Sequence, residues 1–289
     1  MKKRNESLDC LKGIAILLVM FGHVQVHNQM TDPYLYDVIK SIQMPLFFLI
    51  SGYLAGAGKK ITDFQEYKEK LIKRATAYLF PFFSWLVLQH ITFVPRALKT
   101  VLFQLDYGLW FLMVLFIFTW ITYTAQLLQA KVKRDWGFWV PFLGSCLVIL
   151  AAYLMGVTFL SPSLLVIYLP YYAAAYFSGM YPHLIGKISL PMQRILAYAG
   201  GLLFLLMAAV LDLVTVTGIV MLGIQTIASF LACLALIRLV LDWKECRIKS
   251  RLAVLGRYTL EIYVLHYQFA TVLNWSGKTY TFWSISGLL

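Results

Sequence analysis

The stretch DCLKGIAILLVMFGHV, residues 9–24, decides the fold class. It is an apolar run of helical length with a lysine, Lys12, near its start and a histidine, His23, near its end. An ionisable side chain at bilayer depth costs about 3 kcal/mol on insertion scales, so its presence in a spanning segment points to pairing or to function. His23 follows Lys12 by eleven positions. At 100° per residue the helix returns to within about 20° of its starting direction and climbs roughly 16 Å. Asp9 and His27 fall on the same stripe, while Ile14, Leu17, Leu18 and Phe21 supply packing or lipid-facing bulk.

The remainder of the chain has the same character. Hydrophobic residues make up 61% of the 289 positions and charged residues 13%, with a mean hydropathy of +0.74. That balance belongs to a polytopic integral membrane protein. Apolar runs of roughly 17–25 residues predict nine spans, over 9–27, 37–57, 75–94, 107–129, 136–155, 163–181, 195–213, 218–241 and 258–275. The expected architecture is an all-α, polytopic transmembrane helix bundle in a single domain over residues 1–289, without a repeat or linker. After the first run, GHVQVHNQ lacks the small-residue cleavage site of a signal peptide, so the segment is read as a retained helix.

Lysine and arginine placement predicts orientation, because cytoplasmic loops carry their excess. With the N-terminus cytoplasmic, the inner segments hold residues 2–4, the basic run from Lys59 to Arg74, the cluster 131–134, Lys187 with Arg194, and the run from Lys244 to Arg257. The outer side holds only Arg96, Lys99 and Lys278, plus Lys40 in the mouth of the second span. The formal charge of +12 therefore sits in juxtamembrane loops, where it sets topology and meets anionic lipid. Nucleic acid is excluded as a partner. Cys10, Cys146, Cys233 and Cys246 show no C-x-x-C spacing and are assigned neither to a disulfide nor to a metal.

Polar intrusions elsewhere mark candidate sites. In MPLFFLISGYLAGAG, Pro45 interrupts the backbone ladder and Ser51-Gly52 permits a close approach. The following segment, ITDFQEYKEKLIKRATAYLFPFF, places Phe64, Tyr67, Leu71 and Ala75 at helical spacing and is expected to lie on the inner membrane surface. Its last basic residues, Lys73 and Arg74, stand at the mouth of the third span and suit a phosphate-bearing ligand. The stretch YGLWFLMVLF at 107–116 reads as an interfacial aromatic belt. In the ninth span, GRYTLEIYVLHYQF, Glu261 is placed to neutralise Arg238 or Lys12. His266 lies about 12 Å above the helix start, a depth compatible with His23. Two histidines reaching one buried cavity would suit proton transfer. His90 and His183, near loop ends, are given no role.

On these residues the chain resembles the acyltransferase 3 family of bacterial integral membrane enzymes, and within it the branch similar to fucose 4-O-acetylase. LDCLKGIAILLVMFGHV matches the family's basic residue, ten-residue gap and histidine at Lys12 and His23. QMPLFFLISGYL matches its MPLFF…SGY segment, KRATAYLFPFF its arginine followed by proline, LWFL its fourth helix and LGRYTLEIYVLH its last histidine helix. These landmarks keep the family order across residues 4–267.

The resemblance implies an O-acetyltransferase of the cell (inner) membrane. Such an enzyme takes an acyl group from cytoplasmic acetyl-CoA, an acyl donor rather than a resident cofactor, and delivers it to a hydroxyl of a cell-envelope carbohydrate such as a polysaccharide. It implies a catalytic set of His23, Lys12, His266 and Glu261, with His23 acting as general base or as acyl relay. It implies donor contacts at Lys12, Lys73, Arg74 and Ser51. Two departures stand out. Gln43 occupies the place where members near fucose 4-O-acetylase often carry histidine, and the chain stops at TFWSISGLL, where a tenth span would begin, as expected of a C-terminally shortened member. The competing reading is a proton-coupled transporter or flippase of a polysaccharide precursor, which buried His, Glu and Lys and a broken second helix would also suit. The halves of the chain lack the paired Gly/Pro-interrupted segments of such transporters.

Overall fold

Among the described residues, each of the nine apolar runs is helical over most of its length. The structure, a computed structural model, describes residues 5–27, 33–89, 93–107, 109–214 and 218–272. Its helices are α1 (Glu6–His27), α2 (Pro33–Gly56), α3 (Phe64–Gln89), α4 (Val94–Phe103), α5 (Trp110–Val132), α6 (Trp136–Leu154), α7 (Pro162–Met180), α8 (Pro182–Gly186), α9 (Leu190–Val210), α10 (Gly218–Asp242), α11 (Arg247–Arg257) and α12 (Thr259–Val272). A 3-10 turn over Leu105–Tyr107 joins α4 to α5, and no strand occurs among the described residues.

Seven helices, α1, α2, α3, α5, α6, α9 and α10, are long and apolar enough to cross a membrane. The other two expected spans are α7 and α12. Helix α7 is rich in tyrosine, and Tyr171, Tyr172 and Tyr176 are buried, so its polar atoms turn inward. Helix α12 has 14 described residues. The ending TFWSISGLL lies outside the described residues.

Three expectations are corrected. The basic segment after α2 is not a separate surface helix: α3 runs unbroken from Phe64 to Gln89. Its first turns are anchored by packing, with Tyr67 against buried Ile61, Tyr123 and Leu127, and by the Trp120 indole N–H donating to the Tyr67 hydroxyl at 3.1 Å. The run from Lys244 to Arg257, read as a loop, forms α11 over most of its length. Pro45 does not break α2, which continues through it as α3, α6 and α7 continue through Pro81, Pro141 and Pro170. Neighbouring helices restrain a proline-containing segment when they pack tightly against it.

The chain divides into two compact units. One comprises residues 1–50 and 181–289, the other residues 51–180, and α2 contributes to both. In the first unit α1 crosses α11 through two glycines. A Cβ on Gly13 would overlap the Leu252 carbonyl, and one on Gly256 would overlap the Asp9 carbonyl. Small residues let helix backbones touch, which is how helices associate where lipid supplies no hydrophobic drive. The Ser250 hydroxyl donates to the Glu6 carboxylate at 2.7 Å, adding a polar tie at the cytoplasmic end predicted for α1. Buried Lys249 donates to the Trp243 carbonyl and the Glu245 carboxylate, each at 2.9 Å, so its charge is structurally accounted for.

Helices α9 and α10 pair around Phe204, Ala208, Ala228 and Ala232, with Val38 and Ile42 of α2 packed against them. The buried Asp37 carboxylate accepts from the Leu213 N–H at 2.9 Å, so α2 also caps the α9–α10 connection. In the second unit the Ser51-Gly52 expectation is met by α7. Cβ atoms on Gly52 and Gly56 would overlap the Tyr172 and Tyr176 carbonyls.

Candidate functional site

The glycine crossing of α1 and α11 has a counting consequence. His23 stands ten residues beyond Gly13, and His266 stands ten beyond Gly256. Each lies about 15 Å of helical rise from its glycine, although a turn at Tyr258 separates α11 from α12. The two imidazoles do meet, with ring centroids 4.9 Å apart and planes inclined by 51°.

Their environments differ. His266 is buried and its Nδ1 lies 2.6 Å from the Tyr263 carbonyl oxygen. A carbonyl only accepts, so the neutral ring keeps its proton on Nδ1 and presents a lone pair at Nε2. That Nε2 is buried and has no hydrogen-bond partner among the described residues. The Tyr263 ring stacks against His266 with centroids 5.5 Å apart, holding it from a second side. His23 is half-buried. The pair therefore has the parts of a proton acceptor: a fixed tautomer, a buried lone pair without a donor among the described residues, and a second imidazole in contact.

On the same stripe of α1, Lys12 approaches the buried Asp9 carboxylate at 3.6 Å. Glu261, expected to neutralise Lys12 or Arg238, is exposed on the first turn of α12. Asp242 instead binds Arg238 from one turn away, and accepts from Arg194 through both carboxylate oxygens at 2.8 and 3.0 Å. Partners on the same helix at three- or four-residue spacing are already in reach, which a distant carboxylate must compete against. His27 is the last residue of α1, and its side chain lies outside the described residues, as does all of His90.

The second unit carries the other basic group. Arg74, half-buried on α3, donates from Nε to the Tyr123 hydroxyl at 3.3 Å and from Nη1 to the Tyr78 hydroxyl at 3.1 Å. No carboxylate among the described residues pairs with it. Lys73, next in sequence, is exposed, so only one of the two is held by phenols. Polar contacts continue beside them: the Tyr172 hydroxyl is 3.3 Å from that of Thr122, and the Gln126 amide donates to the Tyr176 hydroxyl at 2.6 Å. Ser51 is half-buried one residue before the Gly52 contact with α7. The stretch 107–116, read as a belt, is partly internal: Leu109 and Phe111 are buried and Trp110 stacks on Tyr168 at 5.0 Å.

Sequence reasoning missed the phenols of Tyr78 and Tyr123 and, in the first unit, Gln25 and Ser41, and it noted Gln43 only as a departure from the family's histidine. Gln25, Ser41 and Gln43 are buried, and each has a side-chain atom without a hydrogen-bond partner among the described residues. The only sequence trace of Gln25 and Ser41 is polarity within an apolar run, which does not tell a functional group from one facing a neighbouring backbone.

A family model described as an acyltransferase domain, Acyl_transf_3, matches residues 5–289. Neither the curated proteins nor the solved structures compared with the chain match it. The match takes in both histidines, Lys12, Arg74 and Gln43 and spans both units, so this multi-pass membrane chain belongs to the acyltransferase 3 family.

Proposed function

We propose that this acyltransferase is an O-acetyltransferase of a bacterial inner membrane, moving acetyl from cytoplasmic acetyl-CoA to a hydroxyl of a cell-envelope carbohydrate. The observation that carries the reading is the histidine pair, with Nε2 of His266 buried and without a hydrogen-bond partner among the described residues, at 4.9 Å ring separation from His23. One imidazole takes the acceptor hydroxyl proton as that oxygen forms a bond to the thioester carbonyl carbon. The carbon–sulfur bond then breaks, and the proton passes to the departing thiolate, leaving an acetyl ester and free CoA. A water-excluded setting favours this order, since it strengthens each dipole aimed at the developing oxyanion and limits hydrolysis of the donor.

Within the second unit, Lys73 and Arg74 are the proposed contacts of the donor's phosphates, with Ser51 in the same donor-binding set; Lys12 is proposed by its charge alone as a further phosphate contact. Arg74 is the strongest of them by chemistry, because a guanidinium whose partners are neutral phenols keeps its charge available to an anion. Arg74→Ala is expected to raise the KM for acetyl-CoA about tenfold or more, the worth of one charged hydrogen bond, while the KM for acceptor stays within about twofold. Initial rates of CoA release in isolated membranes check this. A rise in both constants together would remove Arg74 from the donor site.

The deciding experiment follows labelled acetyl from acetyl-CoA into envelope glycan, in cells expressing the chain and in cells expressing His23→Ala at matched abundance. Label that depends on His23 supports acyl transfer to a glycan. CoA release or labelling that is indifferent to His23 would sink the reading and favour the proton-coupled transporter, although α2 runs through Pro45 without the break such a transporter would use.

A further inference from the structure

Gln43 reaches across from α2 to α1 at a position where α1 has no side chain. Its Oε1 lies 2.8 Å from where a Cβ on Gly22 would stand, and Ile39, one turn away on α2, packs at the same place. Gly22 precedes His23, so the amide ends beside the backbone that carries the catalytic-pair histidine. Oε1 is buried and has no hydrogen-bond partner among the described residues. Three residues beyond Gly22, on the same side of α1, Gln25 is buried with neither its amide oxygen nor its amide nitrogen partnered.

Two buried amides with unmet hydrogen bonds are costly, and apolar side chains of similar size would cost less. A ligand rich in hydroxyls resolves the cost, because each hydroxyl both donates and accepts and so meets an amide oxygen and an amide nitrogen alike. We infer that the amides of Gln43 and Gln25 form the subsite that holds the hydroxyl-bearing acceptor, with Gln43 placing it against the His23–His266 pair. The assignment rests on the acyl-transfer reading above. Here Gln43 accepts from a non-reacting hydroxyl, so that a neighbouring hydroxyl faces the imidazoles. Donor recognition is left to the basic residues, and the two substrates are separable by kinetics.

The test uses the full chain in native membranes, with acetyl-CoA as donor and an envelope glycan fraction from the same cells as acceptor. Gln43→Met keeps the length of the side chain and removes its amide. It is expected to raise the KM for glycan about tenfold, to leave the KM for acetyl-CoA within about twofold, and to leave the thermal midpoint equal or higher, because a buried amide oxygen without a partner among the described residues has been removed. Gly22→Ala provides a second route: the new methyl meets the far end of a flexible side chain, displaces the Gln43 amide and is expected to move the same constant in the same direction. An unchanged glycan KM in both variants overturns the subsite. So does a joint rise of donor and acceptor constants, or a lowered midpoint in Gln43→Met. A wild-type chain with no His23-dependent transfer would instead overturn the acyl-transfer reading itself, and the subsite with it.

Discussion

His266→Ala is expected to lower acetyl transfer by about 10²–10⁴-fold, the usual worth of a positioned proton acceptor, with little loss of protein. The size follows from the geometry. Nδ1 is tied to the Tyr263 carbonyl at 2.6 Å, so the ring can be neither turned nor re-tautomerised without breaking that bond, and its lone pair stays at Nε2. Among the described residues Nε2 makes no hydrogen bond that folding would miss. A truncation that removes no protein-internal bond from Nε2 should cost activity far more than stability. His23→Ala is expected to fall in the same range. Because the rings touch at 4.9 Å, the two losses should not add: the double variant should fall little below the worse single one, as for residues that act as a unit. Transfer rates at matched abundance measure this. Multiplying losses would show two independent roles, and an equal drop in abundance would show that the pair holds helices together.

The second large effect is mechanical. Gly256→Ala is expected to separate α11 from α1, lowering the thermal midpoint by about 5–10 °C and removing most transfer activity, although residue 256 lies about 15 Å of helical rise from His266. The added methyl has no free volume, because what it meets is the Asp9 backbone carbonyl rather than a movable side chain. Gly13→Ala meets the Leu252 carbonyl in the same way. Since α12 follows α11 directly after Tyr258, a shift of α11 moves the start of the helix that carries His266. The check is a thermal melt and a transfer assay on the same membranes. Gly144→Ala, where nothing lies within 4 Å of the new Cβ, serves as the control and should change neither. Wild-type behaviour of Gly256→Ala would mean that the α1–α11 contact does not set the position of His266.

Much of the helical arrangement was legible in the sequence because it follows from solvent alone. In a bilayer the backbone must satisfy its own hydrogen bonds, so apolar runs become helices, and all nine expected ones are present. The meeting of His23 and His266 was also legible, since both depths follow from a constant rise per residue. Less legible were the elements governed by side-chain packing. The first turns of α3 read as a surface helix because their charge pattern is amphipathic, yet Trp120, Tyr123 and Leu127 of α5 hold that segment as the start of a spanning helix. Helix α11 read as a topological loop because lysine and arginine dominate it, while its contact with α1 depends on two glycines that carry no pattern in one dimension.

The sequence by itself determined the fold class, the family and the histidines whose rings meet. Each depends on composition, periodicity or a local motif. The partners of Lys12 and Arg238, Asp9 and Asp242, also follow from local spacing, since each stands three or four residues away on the same helix, and Glu261 serves neither. Tertiary structure decided the rest. It alone decided that the Tyr123 hydroxyl reaches Arg74 from α5, that Arg194 of α9 joins Arg238 on Asp242, and that the Gln25 amide and Oε1 of Gln43 are buried without hydrogen-bond partners among the described residues. The physical reason is shared: hydrogen bonds and ion pairs act over about 3–4 Å, and which groups come that close is set by how helices distant in sequence cross.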